Sequence, residues 1–437
     1  MKELSGWGKF PRIKVKEFFP NSEAELLQII RNHESYIARG SGRSYGDSSI
    51  NKNLTITMTK INRLISWNNA TGELIAESGI LIKDIIHHCL EQGWFPFVTP
   101  GTKYVTLGGA IACDVHGKNH HAEGSFGNCV NWIEIITEKN EVIRCSKEKN
   151  ADLFNWTIGG MGLTGIILKC SVQLKKVETG WVNQTVIVNN NFEETLKSFN
   201  EHYNTLYSVA WIDCLAKGES FGRSILMLGE HAKLGEIANL EIFPKIKKQK
   251  ISIFFDAPSF LLNNFTVSIF NRLYFYFYFY KRKSANLVDW DSYFYPLDAI
   301  ANWNRIYGRK GFFQFQCVLP KKNSLEGYKQ ILSYVQKKSS GSFLAVLKLF
   351  GPGRDSLSFP REGYTLSLDF KVTSRNILVA KELTRIVNNF GGMIYLAKDS
   401  LMNAEEFKCQ IDSELKNNFR QFVNKKNESE QSNRINL

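Results

Sequence analysis

The sequence predicts an α+β protein of two domains, or of one domain carrying a large insertion. Three observations lead there. The chain has 437 residues, beyond the length at which a single hydrophobic core usually stops growing. Up to about residue 177, short period-two stretches alternate with helix-patterned ones. Beyond it the texture shifts to longer aromatic and β-branched runs, which suit an antiparallel sheet backed by helices.

In chain order, residues 23–33 place apolar side chains at helical spacing, and 36–39 read as a short strand entering a glycine turn. Residues 54–58 and 72–77 have period-two character and predict strands. Residues 81–92 predict an amphipathic helix closed by Gly93, a residue that readily takes the left-handed conformation of a helix end. A strand pair at 130–136 and 141–145, a short helix at 151–158 and a strand at 165–174 complete the first part. Strand-like runs then cover 181–188, 207–215, 311–320, 342–350 and 364–372, and a glycine-to-strand passage covers 391–398. The polar tail, 418–437, is expected to be disordered, although Phe419 and Phe422 offer docking points.

Composition excludes several classes. Hydrophobic content of 43% and charged content of 22% are those of a globular protein. A net charge of +13 and a pI near 9.2 imply attraction to a polyanion: nucleic acid, an anionic membrane or a phosphorylated substrate. No nucleic-acid-binding signature accompanies the charge, so nucleic acid is not an expected partner. Cys89, Cys113, Cys129, Cys145, Cys170, Cys214, Cys317 and Cys409 include no CxxC pair, which points to a reduced compartment rather than a disulfide framework or zinc site. The N-terminus lacks an apolar core of signal-peptide length, and the expectation is the cytoplasmic side.

Three glycine-rich strings stand out. They are Arg39-Gly40-Ser41-Gly42-Arg43-Ser44-Tyr45-Gly46-Asp47, Gly108-Gly109-Ala110-Ile111-Ala112-Cys113-Asp114-Val115-His116-Gly117-Lys118-Asn119-His120-His121, and Gly159-Gly160-Met161-Gly162-Leu163-Thr164-Gly165. Small residues let the backbone approach a large planar ligand, and N–H groups of such loops can converge on a pyrophosphate. The combination suggests a flavin enzyme. GxGxxG occurs from Gly160 to Gly165, but a dinucleotide domain needs a strand before the glycines and a helix after them. The predicted order is the reverse, so a Rossmann domain is rejected.

His116 and His120 would share a helix face and raise a zinc possibility. Gly117 and Asn119 disfavour a helix, and no histidine follows His231, so no metal is expected. One histidine in a glycine-rich loop suits acid–base or electrostatic work. A structural role fits His120 and His121 nearly as well, and His87 and His88 are assigned to a solvated helix face. Lys398 ends an apolar run before Asp399 and Ser400. Desolvation there would lower its pKa or let it hold an anion; a solvated strand-end lysine fits the sequence equally.

Residues 251–283 hold Phe254, Phe255, Phe265 and the unbroken run from Leu273 to Tyr280, then Lys281, Arg282 and Lys283. The apolar parts are too short for a bilayer, which takes about 20 residues. Aromatic residues flanked by lysines, among them Lys245, Lys247, Lys248 and Lys250, suit a membrane–water interface. A buried strand backed by a lysine cluster is the competing reading.

Taken together, RGSGRSYGD, PGTKYVTLGGAIACDVHGKNHHAEGSFGN, GGMGLTGII, FPREGYTLSLDF and YLAKDS resemble the decaprenylphosphoryl-β-D-ribose 2′-oxidase family, part of the vanillyl-alcohol-oxidase (PCMH-type) group of FAD proteins. The likeness runs from about residue 6 to about residue 410. It implies an FAD-binding domain over 1–177 and 393–437 and a substrate domain on an antiparallel sheet over 178–392, with 251–283 facing a membrane. It further implies oxidation of the 2′-hydroxyl of a polyprenyl-phosphoryl-β-D-ribose to the ketone, the first half of epimerisation to the arabinose donor for cell-envelope glycans. A short-chain dehydrogenase/reductase partner, a quinone or other electron acceptor and peripheral membrane association come with that reading.

Carried over by motif, the residues around FAD are the whole 39–47 string, Pro100, Gly101, Thr102, Thr106, Gly108, Gly109, Ala112, Cys113, His116, Gly117, Gly159, Gly162, Gly165, Ile166, Tyr395 and Lys398. The resemblance makes Lys398 and His116 catalytic, with Lys398 anchoring or deprotonating the sugar hydroxyl. It puts Tyr45, Lys118, Trp211, Gln314, Gln316, Lys348, Phe350, Thr365 and Ser367 around the substrate. Some oxidases of the wider group attach FAD through a histidine where this chain has Ser44 and Tyr45, so noncovalent FAD is implied. Ser367 stands where the family often carries cysteine. The rival readings are an aldonolactone- or alditol-type FAD oxidase of a soluble sugar and a noncatalytic flavin-binding, membrane-associated protein.

Overall fold

The computed structural model describes residues 1–246, 251–258, 262–280, 286–338, 342 and 344–437. In the first lobe a small parallel sheet sets Thr55–Thr57 between Glu17–Phe18 and Ile37–Arg39. The helix Glu23–Arg31 packs Leu26 and Ile30 into the cluster beneath it and is capped by Ser22, whose side chain accepts from the Glu25 N–H. A larger antiparallel sheet follows the order Val142–Ser146, Val130–Ile136, Ile166–Lys176, Glu73–Glu77, Leu64–Asn68, with Trp94–Pro96 pairing the end of Ile166–Lys176. The helix Ile82–Cys89 buries Ile82, Ile85, Ile86 and Cys89 in the core of this lobe and leaves His87 and His88 exposed. Each such isoleucine, fully removed from water, contributes roughly 2 kcal/mol. Around the glycines at 159–165 a helix, Ala151–Thr157, comes first and a strand, Ile166–Lys176, second, the reverse of a dinucleotide fold.

The second lobe is an eight-stranded antiparallel sheet in the order Asn286–Asp289, Trp181–Asn189, Ser224–His231, Tyr207–Ile212, Ala345–Phe350, Gly363–Lys371, Phe312–Pro320, Met393–Ile394. Successive strand residues face opposite sides. Phe313, Phe315, Cys317 and Leu319 therefore join the core against the helices Phe192–Glu201, Ser324–Lys338 and Ser374–Asn389. Gln314 and Gln316 are left on the other face, which looks into a large cavity between the lobes. Register repeats the pattern across strands: Gln316 pairs with Ser367, Ser367 with Val346, and Thr365 with Lys348. A polar row thus lies on the open face of a sheet whose far face is hydrophobic.

Several expectations need correction. The strand Ser224–His231 was not marked in the sequence; it runs inside the sheet, buried on both faces over most of its length, and so lacks alternation. Of residues 391–398 only Met393–Ile394 is strand, and it pairs with Val318 and Cys317 of the substrate sheet. A boundary at 393 therefore falls early, since the chain leaves this sheet only after Ile394. The tail is ordered: the helices Ser413–Arg420 and Glu430–Ile435 bury Phe419 and Ile435 in the main core. Its polarity reflects short helices that each bury one side. The aromatic run is no strand but part of the helix Asn264–Tyr280, which buries Val267, Asn271 and Phe275 at four-residue spacing. An all-aromatic run carries no period of its own, which is why the sequence left that choice open. Lys247, Lys248, Lys250, Lys281, Arg282 and Lys283 lie outside the described residues.

Candidate active site

The cavity between the lobes has a volume of about 1110 Å³, above the roughly 300–1,000 Å³ of ordinary small-molecule pockets. There is room for a large cofactor and a second ligand. The first lobe supplies one wall from residues 39–45, 100–102, 104–106, 108–109, 112–113, 115–116 and 118, with Gly162 and Gly165 behind them. The open face of the substrate sheet supplies the other through Trp211, Gln314, Gln316, Lys348 and Ser367, and Tyr395 and Lys398 enter between the two.

The 39–45 wall is built for close approach. Gly42 takes φ 65°, and a Cβ there would lie 2.2 Å from Nη2 of Arg39. Only glycine lets the loop fold flat against the Arg39 guanidinium, which donates to the Ser5 carbonyl at 2.7 Å and to Ser49 Oγ at 3.2 Å. The Arg43 guanidinium lies 4.1 Å from the Trp7 ring centre and 5.3 Å from that of Tyr104. Arg43 Nε, Ser78 Oγ and His116 Nδ1 belong to residues on the cavity wall and have no hydrogen-bond partner among the described residues. Buried polar atoms left so are costly, and a polar ligand with many donors and acceptors is what they fit. An FAD satisfies that requirement and the size of the cavity.

His116 is held by a short relay. Thr365 Oγ1 donates to the Cys317 carbonyl at 2.9 Å, so it accepts from the Gln316 side-chain amide at 3.1 Å. The same amide nitrogen donates its second hydrogen to His116 Nε2 at 2.9 Å. That geometry puts the imidazole proton on Nδ1. Burial first, then the charges of Lys348, His120 and Lys398, push the His116 pKa well below its ordinary value, so the ring is neutral at pH 7. Phe350 lies with its ring centre 4.7 Å from that of His116 and 4.5 Å from that of His120; it packs on these rings and does not line the cavity.

Lys398 sits on a turn in which its own N–H and that of Asp399 donate to the Tyr395 carbonyl. Its Nζ lies 3.9 Å from the centre of the Tyr45 ring. Removal from bulk water draws its pKa down to about 7; the Asp369 carboxylate opposes that shift, and Lys348 adds to it. Lys398 thus sits half-buried on the cavity wall rather than at a solvated strand end. Asp369 accepts from Gln314 Nε2 at 2.6 Å and from the Tyr307 hydroxyl at 3.1 Å, and burial lifts its pKa to about 6. Lys118 and Lys348, lowered by burial to about 7 and about 8, face the same cavity. Lys118 donates to the Tyr293 carbonyl, whereas Lys348 makes no hydrogen bond among the described residues. Three lysines, with Arg39 and Arg43, outnumber the carboxylates of Asp298 and Asp369 and make the cavity a receptor for an anion.

Not every expected residue reaches the wall. Gly46 packs on Asp399, Asp47 is paired with Arg434, and Gly159 lies against Ser358. Gly117 turns beneath Asn119, Ile166 is buried in the first lobe's core, and Thr365 acts on Gln316. Sequence reasoning missed Asp369, although strand parity with Thr365 and Ser367 puts it on the same face. It also missed Asp114, buried with φ 39°, which accepts from Ser125 and the Gly127 N–H at 2.7 Å each and from Ser358, and so holds the His116 loop. Lys103, paired with Asp291 and 4.0 Å from Asp298, ties the 100–104 loop to the other lobe.

Comparison with known proteins agrees with this geometry. Residues 17–146 match the FAD binding domain family. The chain is 37% identical to the decaprenylphosphoryl-beta-D-ribose oxidase of Mycolicibacterium smegmatis over 93% of its own length and 90% of that protein's. Cytokinin dehydrogenase 9 of Oryza sativa subsp. japonica is 28% identical over 40% of this chain and 35% of its own. The L-gulonolactone oxidase of Mus musculus is 24% identical over 47% of this chain and 48% of its own. The FAD-binding domain, the α+β architecture and the half-buried lysine on the cavity wall define an FAD-dependent oxidoreductase. Within that class the chain belongs to the decaprenylphosphoryl-β-D-ribose oxidase family.

Proposed function

We propose that the protein oxidises the 2′-hydroxyl of a polyprenyl-phosphoryl-β-D-ribose to the 2′-ketone, opening an epimerisation toward the arabinose donor of cell-envelope glycans. The observation that carries this reading is one cavity that combines FAD-binding loops, a lysine of pKa about 7 and two further lysines. FAD, once bound along residues 39–45 and 100–113, supplies the two-electron acceptor for hydride from the 2′ carbon. Neutral Lys398 takes the hydroxyl proton on Nζ. His116 offers Nδ1–H to hold an oxygen of the ligand in place. Lys348 and Lys118 receive the phosphodiester, an anion that a free sugar lacks.

The lipid tail has a route. Phe270, Tyr274 and Tyr278 of the helix Asn264–Tyr280 line the cavity. The opposite face of this helix shows Phe265 at 73% exposure, Leu273 at 68% and Tyr280 at 82%, and nearby in sequence Phe254 and Phe255 are exposed at 81% and 72%. Among the described residues no helix is long and apolar enough to cross a membrane. A stripe of this kind on a basic chain suits the surface of an anionic bilayer, with the helix lying in the interface. The ketone product calls for a reductase of the short-chain dehydrogenase class, and reoxidation calls for a quinone or similar acceptor.

Incubation of the FAD-loaded protein with a polyprenyl-phosphoryl ribose and a quinone analogue, followed by hydrazide trapping, tests the reading. A trapped ketone at the 2′ carbon supports it. Unchanged lipid, with a free aldonolactone oxidised in its place, overturns it.

A further inference from the structure

The last helix, Glu430–Ile435, reaches under the site with two side chains. Arg434 donates through Nη2 to Asp47 Oδ1 at 2.7 Å and through Nη1 to Asp399 Oδ2 at 3.0 Å. Gln431 Nε2 donates to the Leu396 carbonyl at 2.7 Å and to Asp399 Oδ2 at 3.2 Å. Asp47 and Asp399 are both buried, and each lies on a segment that carries a site residue, Tyr45 or Lys398. Those segments touch main chain to main chain. The Tyr45 N–H donates to the Ala397 carbonyl at 3.0 Å, and a Cβ on Gly46 would lie 1.9 Å from the Asp399 carbonyl oxygen. Two neighbouring buried carboxylates repel one another, and a guanidinium forked between them converts that repulsion into a fixed spacing. Neither Arg434 nor Gln431 lines the cavity.

We propose that Arg434 and Gln431 are positioning residues: the last helix clamps segments 44–47 and 396–399 together and thereby fixes Lys398 over the Tyr45 ring. The inference rests on the reading of Lys398 as the base of the oxidation. It assigns a role in turnover to a tail whose composition predicts disorder.

The test uses the FAD-loaded enzyme and the variants Arg434→Gln, Arg434→Lys and Gln431→Leu. Peptide mass analysis follows acylation of the Lys398 amine against pH, independently of turnover. The groups facing that amine are Tyr45, Cys113, His116, Lys348 and Asp369. In the unaltered enzyme the midpoint should lie at about 7. In Arg434→Gln and Gln431→Leu it should rise toward that of a solvated lysine, with flavin retained and kcat lowered roughly tenfold or more, as misplacement of a reacting group demands. Arg434→Lys, able to serve one carboxylate, should fall between. Unchanged midpoint and kcat in either charge-free variant would overturn the clamp. Should Arg434→Gln fail to fold, Gln431→Leu, which strands no charge, decides the matter. A shifted midpoint in an enzyme whose flavin is indifferent to lipid-linked ribose upholds the clamp and rejects the substrate.

Discussion

The side-chain amide of Gln316 donates to Nε2 of His116 at 2.9 Å. Because Thr365 occupies the other hydrogen of that amide, the imidazole is held in one tautomer with Nδ1–H available to a ligand. Gln316→Leu releases the ring and should slow reduction of the flavin by substrate roughly tenfold or more while leaving FAD bound. Thr365→Val should cost less, since it frees the amide without removing it. Stopped-flow reduction rates compare them, and a Gln316→Leu rate equal to that of the parent would remove the relay from the mechanism.

Lys398, as the base proposed above, should make turnover pH-dependent. Its pKa of about 7 means that the neutral, proton-accepting form is lost as pH falls below 7, so the reduction rate should climb with pH through a midpoint there. The Asp369 carboxylate favours the protonated amine. Asp369→Asn should therefore move the midpoint to lower pH, and a shift upward would contradict the pairing. Lys398→Ala should keep FAD yet lose roughly a hundredfold or more in reduction rate.

Ser367 lines the cavity opposite Gln316. A hydroxyl does not form the thiolate that attacks soft electrophiles, so cavity-directed thiol reagents should leave residue 367 unlabelled. Ser367→Cys should be labelled there, with turnover before labelling little changed. Labelling of the unaltered chain at 367, read by peptide mass, would contradict this.

The exposed stripe on the helix Asn264–Tyr280 predicts vesicle binding. Replacing Leu273 and Phe277 by serine removes two large apolar side chains from an interface, each worth about 1.5–3 kcal/mol, so affinity for anionic vesicles should fall by roughly tenfold or more per residue. Co-sedimentation measures it. Equal sedimentation of parent and double variant would sink the membrane reading of this face.

Much of this was legible in the sequence, and the reason is local chemistry. Long aromatic and β-branched runs marked most strands of the substrate sheet, and Gly93 marked a helix end that the structure keeps at φ 80°. Glycine strings marked the wall at 39–45 and 108–113, where a Cβ on Gly40, Gly42 or Gly108 would collide with its neighbours. What escaped depends on contacts between distant residues. Asp47 meets Asp399 and Arg434 from hundreds of residues away, and nothing in a polar tail announces that one of its arginines is half-buried between two carboxylates. Asp369 had a signal in strand parity, but its value as the counter-charge of Lys398 appears only when Gly363–Lys371 and the 395–399 turn come together. The aromatic helix was ambiguous for a different reason, since eight consecutive apolar-bodied residues satisfy a strand and a helix alike.

The most direct measurement is the visible spectrum of the FAD-loaded protein under anaerobic conditions as a polyprenyl-phosphoryl ribose is added. The flavin band should bleach with this lipid and not with free ribose or an aldonolactone. A flavin that stays yellow with the lipid and bleaches with the soluble sugar would contradict it.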